Sequence, residues 1–291
     1  MNKTKKTIRK LRDEQYSYNI NLYPYLNNWK KNPYTYLKAI FYMESSAVLV
    51  YLLLKTNIKP NTVTVIYGLA GIFTGILLSI QNNYTICIAL IIAFGKGILD
   101  WSDGHLARIT GQTSLTGHIL DSYGAHLNSL GFQIGLGLYI AARTDLIFFY
   151  YLVPALLFFR ASILFIYCKY VLFKEIADIN IISNYKKKNW DSARNKIERG
   201  SSKSLHKNRY AHYLDVFLDD RARSVDFICL IILLEMVFPI NVSWIIFLLI
   251  VVKYFIIFSG SFYMVAKGGY AENEAMNKIR DLHILLGEDN T

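Results

Sequence analysis

Cysteine and proline are scarce in this chain, and both shortages help to exclude certain classes of protein. The three cysteines, Cys87, Cys168 and Cys229, lie in apolar runs and have no C-x-x-C partner, so neither a disulfide framework nor a zinc site is indicated. With five prolines and 53% hydrophobic residues among its 291 residues, the chain is too apolar for an ordinary soluble domain. The bilayer is therefore the expected solvent.

Several sequence signals of common functions are also missing. The first sixteen residues hold six cations and no apolar core, so they are not a cleavable signal peptide. No G-x-x-x-x-G-K-[ST], H-E-x-x-H or G-x-S-x-G motif is present, so the ATPase, zinc protease and serine hydrolase readings have no motif support. The formal charge of +11 comes from cations between the apolar runs, without an aromatic-interleaved RNA-binding motif. Nucleic acid is therefore not the expected partner.

Apolar runs near or above the bilayer-crossing length predict six transmembrane helices. They cover about 62–81, 84–104, 117–142, 146–168, 224–240 and 242–266. The predicted fold class is therefore all-α, in a polytopic membrane protein. An interfacial amphipathic helix is expected before the first span, at 34–55, because Lys38 and Glu44 leave a clean apolar run of only about ten residues there.

The distribution of cations predicts the topology. Residues 1–55 hold ten Lys or Arg and residues 174–223 hold twelve, whereas the links on the other side of the spans hold few. The positive-inside rule then places both termini on the cytoplasmic side, together with the helix ends next to the basic segments. Three regions follow: an N-terminal arm with the interfacial helix (1–57), a six-helix transmembrane domain that contains the basic loop (58–266), and a cytoplasmic tail (267–291).

The most informative stretch is DWSDGHLARITGQTSLTGHILDSYGAH, residues 100–126, at the cytoplasmic ends of the second and third spans. Acidic residues inside a span are costly and indicate function. Two facing helices that present three carboxylates suit Mg²⁺ or Mn²⁺ holding a pyrophosphate, because hard cations prefer carboxylate oxygens. The alternative is an Asp and Arg network between helices with no ligand. Helical geometry puts the following residues on a common face of each helix: Asp100, Asp103, Gly104, Ala107 and Arg108 on the first, and Gly117 and Asp121 on the second.

This stretch resembles the signature of the CDP-alcohol phosphotransferase (CDP-alcohol phosphatidyltransferase) family, D-x-x-D-G-x-x-A-R, eight residues, then G-x-x-x-D-x-x-x-D. The preceding segment resembles the P-N-x-V-T that opens the family's first span. The likeness covers about residues 40–266, and its sequence-specific part is 58–126. The matching positions are Asp100, Asp103, Gly104, Ala107, Arg108, Gly117 and Asp121, preceded by Pro60, Asn61, Val63 and Thr64.

The resemblance implies an enzyme that moves a phospho-alcohol group from a CDP-alcohol donor to an acceptor hydroxyl and releases CMP, in phospholipid or related lipid or polymer synthesis. It implies a homodimer in the lipid bilayer, with one or two Mg²⁺ or Mn²⁺ ions held by Asp100, Asp103 and Asp121. The donor alcohol, diacylglycerol or a smaller group, and the acceptor are left open. The implied contacts to the CDP moiety are Asn61, Thr64, Asp100, Gly104, Ala107, Arg108 and Gly117.

One position departs from the signature. The family's fourth aspartate, the base that deprotonates the acceptor hydroxyl, falls at Ala125. His126 is the neighbouring candidate for a substitute base, but on a regular helix it lies about 140° from Asp121. It reaches the site only if a π-bulge near Gly124 rotates it. The two hypotheses are a transferase with an altered base and a catalytically silent relative that binds CDP-alcohol or lipid; a transporter explains the acids but not their spacing.

A mid-span cation and two small-residue patterns complete the candidate features. Arg160 lies within the fourth span, where a guanidinium needs a partner. It is interpreted either as a contact to a phosphate of the acceptor or donor, or as an ion-pair partner of Asp226 or Glu235. Two G-x-x-x-G patterns permit close helix contact and give weak support to a homodimer. They consist of Gly71 with Gly75, and Gly131 with Gly135.

Overall fold

The computed structural model describes residues 2–22, 33–163 and 222–266. All regular secondary structure in these residues is α-helical, which confirms the predicted all-α class. Cys168, nearly all of the basic loop 174–223 and the tail 267–291 lie outside the described residues. The helices are α1 (Asn2–Leu22), α2 (Pro33–Leu53), α3 (Pro60–Ser79), α4 (Asn83–Thr110), α5 (Leu115–Thr144), α6 (Ile147–Ile163), α7 (Ala222–Val237) and α8 (Ser243–Ala266).

Within the described residues, four helices are long and apolar enough to cross a membrane: α2, α3, α4 and α8. Apolar helices of this length are typical of an integral membrane protein. A helix lies at each of the six predicted span positions. However, α5 carries buried polar residues such as Asn128 and Gln133, and α6 and α7 are short over their described lengths. The number of six spans is therefore not confirmed.

Helix α2 runs alongside α4 and does not cross its end. The Lys38 ammonium donates to the Phe94 carbonyl at 3.0 Å, and farther along α2 the side chains of Ala47 and Val50 share an apolar core with Leu106. The two contacts are separated by the same number of residues on both helices, so the helices run in the same direction. The interfacial position of α2 stays a prediction.

Helices α3 and α5 approach so closely that their backbones touch. A Cβ added to Gly71 would lie 2.2 Å from the Asn128 Cα, and one added to Gly75 would lie 2.2 Å from the Gly131 carbonyl oxygen. A Cβ on Gly135 would lie 2.3 Å from the Gly75 Cα. The two G-x-x-x-G patterns therefore meet within one chain. They give no support to the predicted homodimer, which stays a prediction.

A short turn joins α4 to α5 and sets their ends side by side. Helix α4 stops at Gly111, whose φ of 66° is readily adopted only by glycine. The Gln112 amide then donates to the Ala107 carbonyl at 2.9 Å, which closes the helix end. Helix α5 starts after Ser114, whose hydroxyl accepts a hydrogen bond from the Gly117 amide at 3.0 Å. Both helix ends are thus capped inside the turn.

The described residues belong to two compact units. The first contains α1 to α5, the beginning of α6, all of α7 and the first residues of α8. The second contains the described residues 154–163 and 248–266, where Phe158 packs against Phe258 with ring centroids 5.5 Å apart. All residues of the predicted metal site lie in the first unit.

Candidate active site

Helix α3 supports the two helices that carry the acidic motif. It packs against both α4 and α5, whereas these two make few direct contacts with each other. Their facing sides are therefore set apart next to the turn that joins them. Asp103 of α4 is buried there, and Asp100 of α4 and Asp121 of α5 are half-buried.

The three carboxylates lie close enough for their charges to interact. Asp100 is repelled by both Asp121 and Asp103, and the nearby Lys96 offsets part of this repulsion. Tyr67 of α3 also lies beside Asp100. The structure therefore brings together the three acids that the motif spacing predicted on facing helices.

Asp103 is oriented by α3 and by its own helix. The Thr64 hydroxyl donates to Asp103 Oδ2 at 2.6 Å, and the Gly104 amide donates to Oδ1. Thr64, predicted as a contact to the CDP moiety, thus has a visible role in fixing a carboxylate. Its contact with CDP stays a prediction.

The glycines of the motif make room for polar side chains. A Cβ on Gly117 would lie 3.3 Å from Asn61 Oδ1, and one on Gly104 would lie 3.3 Å from Arg108 Nη1. Asn61 of α3 therefore approaches α5 closely, and the Arg108 side chain lies back along its own helix α4. Ala107 is half-buried and contributes its carbonyl to the end of α4. The binding of CDP by these residues stays a prediction.

Arg108 contacts helix α1, a relationship that the sequence did not reveal. Its Nη2 donates to Gln15 Oε1 at 2.6 Å, and its guanidinium carbon lies 3.8 Å from the centroid of the Tyr18 ring. Gln15 also donates to the Trp101 carbonyl at 3.3 Å. Arg108 and Gln15 are 93 positions apart in the chain, and no local pattern links residues at that separation.

The structure lacks the helix distortion that would let His126 serve as the substitute base. Helix α5 is an uninterrupted α-helix through the motif, so the hypothesis of a π-bulge near Gly124 is wrong. His126 therefore stays on the side of α5 turned away from Asp121. Ala125 is half-buried one turn after Asp121, and its methyl group cannot accept a proton. The motif helix thus presents no base at the position where the resemblance predicts one.

Arg160 lies in the second compact unit and is 6% exposed. Its guanidinium carbon lies 4.7 Å from the centroid of a tyrosine ring in α8. The two acids that the sequence suggested as ion-pair partners pair with other cations. Asp226 pairs with Lys38 at 2.7 Å, and Glu235 lies 3.9 Å from Arg143. A role for Arg160 in binding a phosphate stays a prediction.

The predicted metal site has suitable chemistry but no preformed geometry. In the part of the chain that the structure describes, no three His, Cys, Asp or Glu side chains are gathered tightly enough to hold a metal ion. The donor set nevertheless fits a divalent cation, because three carboxylates repel one another in a largely apolar setting and hard cations prefer their oxygens. The fit therefore rests on negative charge that Lys96 and Arg108 offset only in part.

Comparison with known proteins adds one finding. A search of curated proteins gives no match to the chain. Residues 57–188 match the sequence model of the CDP-alcohol phosphatidyltransferase family. This segment contains α3, α4 and α5 with the whole acidic motif, so the resemblance predicted from that motif is confirmed. Residues 57–188 are therefore similar to a CDP-alcohol phosphatidyltransferase domain.

Proposed function

We propose that this protein transfers a phospho-alcohol group from a CDP-alcohol to an acceptor hydroxyl and releases CMP, in the synthesis of a phospholipid or a related lipid or polymer. The observation that supports it most is the mutual approach of Asp100, Asp103 and Asp121 inside the matched segment. A cluster of acids alone would also suit a transporter. Their occurrence at the family's spacing, on facing helices, favours the transferase.

The three aspartates would hold one or two Mg²⁺ or Mn²⁺ ions. When bound, such ions neutralise the donor diphosphate and make its phosphorus more electrophilic. Thr64 keeps the Asp103 carboxylate in one orientation through its hydrogen bond. Arg108, attracted by Asp103, adds positive charge for the donor phosphates. The protein thus contributes position and charge, as is usual in phosphoryl-type transfer.

In the reaction, the acceptor oxygen forms a bond to the β-phosphorus of the donor. The bond between that phosphorus and the oxygen bridging to the α-phosphorus breaks, and CMP leaves with the bridging oxygen. The acceptor hydroxyl gives up its proton. Because Ala125 offers no base, we expect this proton to pass to a substrate phosphate oxygen or to water. The absence of a positioned base typically costs about 10²- to 10⁴-fold in rate.

The position of α1 supports a cytoplasmic site. The six cations in the first sixteen residues belong to this helix, and its Gln15 contacts Arg108 at the motif end of α4. The positive-inside rule keeps such a basic segment in the cytoplasm. The homodimer is part of the proposal through the family resemblance alone.

A second candidate function is a catalytically silent relative that binds CDP-alcohol or lipid. Two observations favour it: Ala125 replaces the expected base, and the regular helix turns His126 away from the acids. In this case the carboxylates would bind donor and metal without turnover.

The test is release of CMP by the purified protein with Mg²⁺, a CDP-alcohol and a panel of hydroxyl acceptors. CDP-diacylglycerol and a CDP-linked small alcohol are used in parallel as donors. We expect release with one donor and acceptor pair and none with the donor alone. Ala125→Asp should raise the rate by up to about 10²-fold by restoring a base, whereas Ala125→Asn, the matched control, should not.

The same experiment separates the two candidates. No CMP release from either the unaltered protein or Ala125→Asp across the panel, with CDP binding retained in calorimetry, would establish the silent relative. Loss of CDP binding as well would contradict both candidates.

A further inference from the structure

We propose that Gln15 and Tyr18 of helix α1 are positioning residues that hold Arg108 beside Asp103. The inference rests on the proposed function and extends the site beyond residues 57–188. It assigns α1 a part in binding the donor phosphates, through Arg108.

Two contacts of different kinds fix the Arg108 guanidinium. The Gln15 amide oxygen accepts a hydrogen bond from Nη2 at 2.6 Å, which sets the direction of one edge of the guanidinium group. The Tyr18 ring, with its centroid 3.8 Å from the guanidinium carbon, covers one face and adds a cation–π attraction. An edge contact and a face contact together leave a planar group little freedom to rotate.

Gln15 is itself held in place. It is 2% exposed, and its amide nitrogen donates to the Trp101 carbonyl at 3.3 Å. With the nitrogen turned to α4, the amide oxygen is turned to Arg108. One turn earlier on α1, Leu11 is buried in an apolar core with Val50 and Leu106. Helix α1 is therefore anchored by packing, and its next turns carry the residues that hold the arginine.

The other side of Arg108 faces the acidic site. Gly104 leaves room for its guanidinium, since a Cβ there would lie 3.3 Å from Nη1. Asp103 attracts the same guanidinium and accepts the Thr64 hydrogen bond at 2.6 Å. Direct contacts thus join Arg108 to α1 and Asp103 to α3, and Arg108 and Asp103 attract each other electrostatically.

A cation held in one orientation binds a phosphate without first losing rotational freedom. If α1 no longer held Arg108, we expect the donor to bind more weakly while the bond-breaking step changes less. The signature is therefore a raised KM for the donor with a nearly constant kcat.

The test measures kcat and the donor KM of the full chain and its variants. Tyr18→Leu and Gln15→Leu should each raise KM about tenfold and leave kcat within about threefold. Tyr18→Phe keeps the ring but loses the hydroxyl, which also attracts Arg108, so it should raise KM less than Tyr18→Leu does. Tyr16→Leu, which removes another exposed tyrosine of α1, is the matched control and should leave KM unchanged.

The outcomes separate this inference from the proposed function. Absence of CMP release from the unaltered protein is a failure of the proposed function, and calorimetric binding of CDP to the same variants then tests the role of Gln15 and Tyr18. An active protein in which Tyr18→Leu and Gln15→Leu leave KM unchanged overturns the inference, even if their melting temperatures fall. A loss in Tyr18→Phe as large as that in Tyr18→Leu overturns the role of the ring.

Discussion

Acidic side chains at the two ends of α5 have opposite surroundings. Near the C-terminal end of α5, which we call the far end, the fully buried Glu235 of α7 has a partner for each carboxylate oxygen. Its Oε1 accepts from the amides of Val242 and Ser243 at 2.7 Å each. Its Oε2 accepts from the Tyr139 hydroxyl at 3.2 Å and lies 3.9 Å from an Arg143 nitrogen. This carboxylate joins α5, α7 and the start of α8.

At the motif end, three carboxylates face one another. Asp100 is repelled by Asp121 and Asp103, and Lys96 offsets part of this repulsion. The titratable side chain beside Asp121 on its own helix is His118. A protein that needed these acids only for packing would pair them as it pairs Glu235. The difference agrees with a structural role for Glu235 and with the proposal that the motif acids bind a cation.

The largest expected effect separates activity from stability at the motif end. Asp121→Asn should lower CMP release by at least about 10³-fold, because a ligand for the cation is lost. It should leave the melting temperature unchanged or higher, because repulsion is relieved. CMP release, calorimetry with Mn²⁺ and CDP, and thermal unfolding measure the three quantities. Unchanged binding of both ligands would show that the site is assigned wrongly.

The matched control for this substitution is Asp145→Asn. Asp145 is exposed and has a φ of 54°, a conformation that asparagine also tolerates. We expect its activity and stability to match those of the unaltered protein.

The reverse pattern is expected at the far end. Glu235→Ala should lower the free energy of unfolding by about 3 kcal/mol, because two amides and a hydroxyl lose a buried acceptor. CMP release per folded molecule should not change. Glu44→Ala, at a side chain that is 53% exposed, is the control and should cost less than about 1 kcal/mol. A folded Glu235→Ala protein without activity would mean that the two ends are not functionally distinct.

The contact between α3 and α5 gives a smaller and purely structural effect. Gly75→Ala should destabilise the protein by about 1–3 kcal/mol, because the new methyl group meets the α5 backbone at 2.2 Å. Gly260→Ala in α8 is the control, since a Cβ there meets nothing within 4 Å. Thermal unfolding in the same detergent compares the two. Equal melting temperatures would show that α3 and α5 can separate without cost.

The smallest effect is expected at His126. Because α5 is regular through this position, His126→Ala should change kcat by less than about threefold. Steady-state CMP release measures it. A loss of about 10²-fold or more would restore His126 as the base and require a different local geometry when substrate is bound.

The sequence predicted the features that depend on local order. Apolar runs located the helices α3 to α8, because length and hydrophobicity suffice to mark them. The motif spacing predicted that Asp100, Asp103 and Asp121 would face each other, since helical geometry fixes side-chain directions over a few turns. Both expectations follow from residues close together in the chain.

Features that depend on distant contacts could not be predicted. Helix α1 has no long apolar run that would mark it. The contact between its Gln15 and Arg108 forms only when the chain is folded, because the two residues are far apart in sequence. The G-x-x-x-G patterns indicated close packing but did not name the partner, which is α5 for α3. The clean apolar run within residues 34–55 was too short to predict a span. The direction of this helix beside α4 became known only from the contact between the Lys38 ammonium and the Phe94 carbonyl.

The apolar core at the motif end has a consequence for shortened forms of the protein. Leu11, Ala47 and Val50 precede residue 57, and they bury Val63 and Leu106 of the matched segment. A fragment that begins at residue 57 would therefore expose those two side chains on the face that α1 and α2 normally cover. Such a fragment contains every motif residue, yet we expect it to aggregate on extraction from the membrane, because the folding unit is larger than the segment that carries the signature.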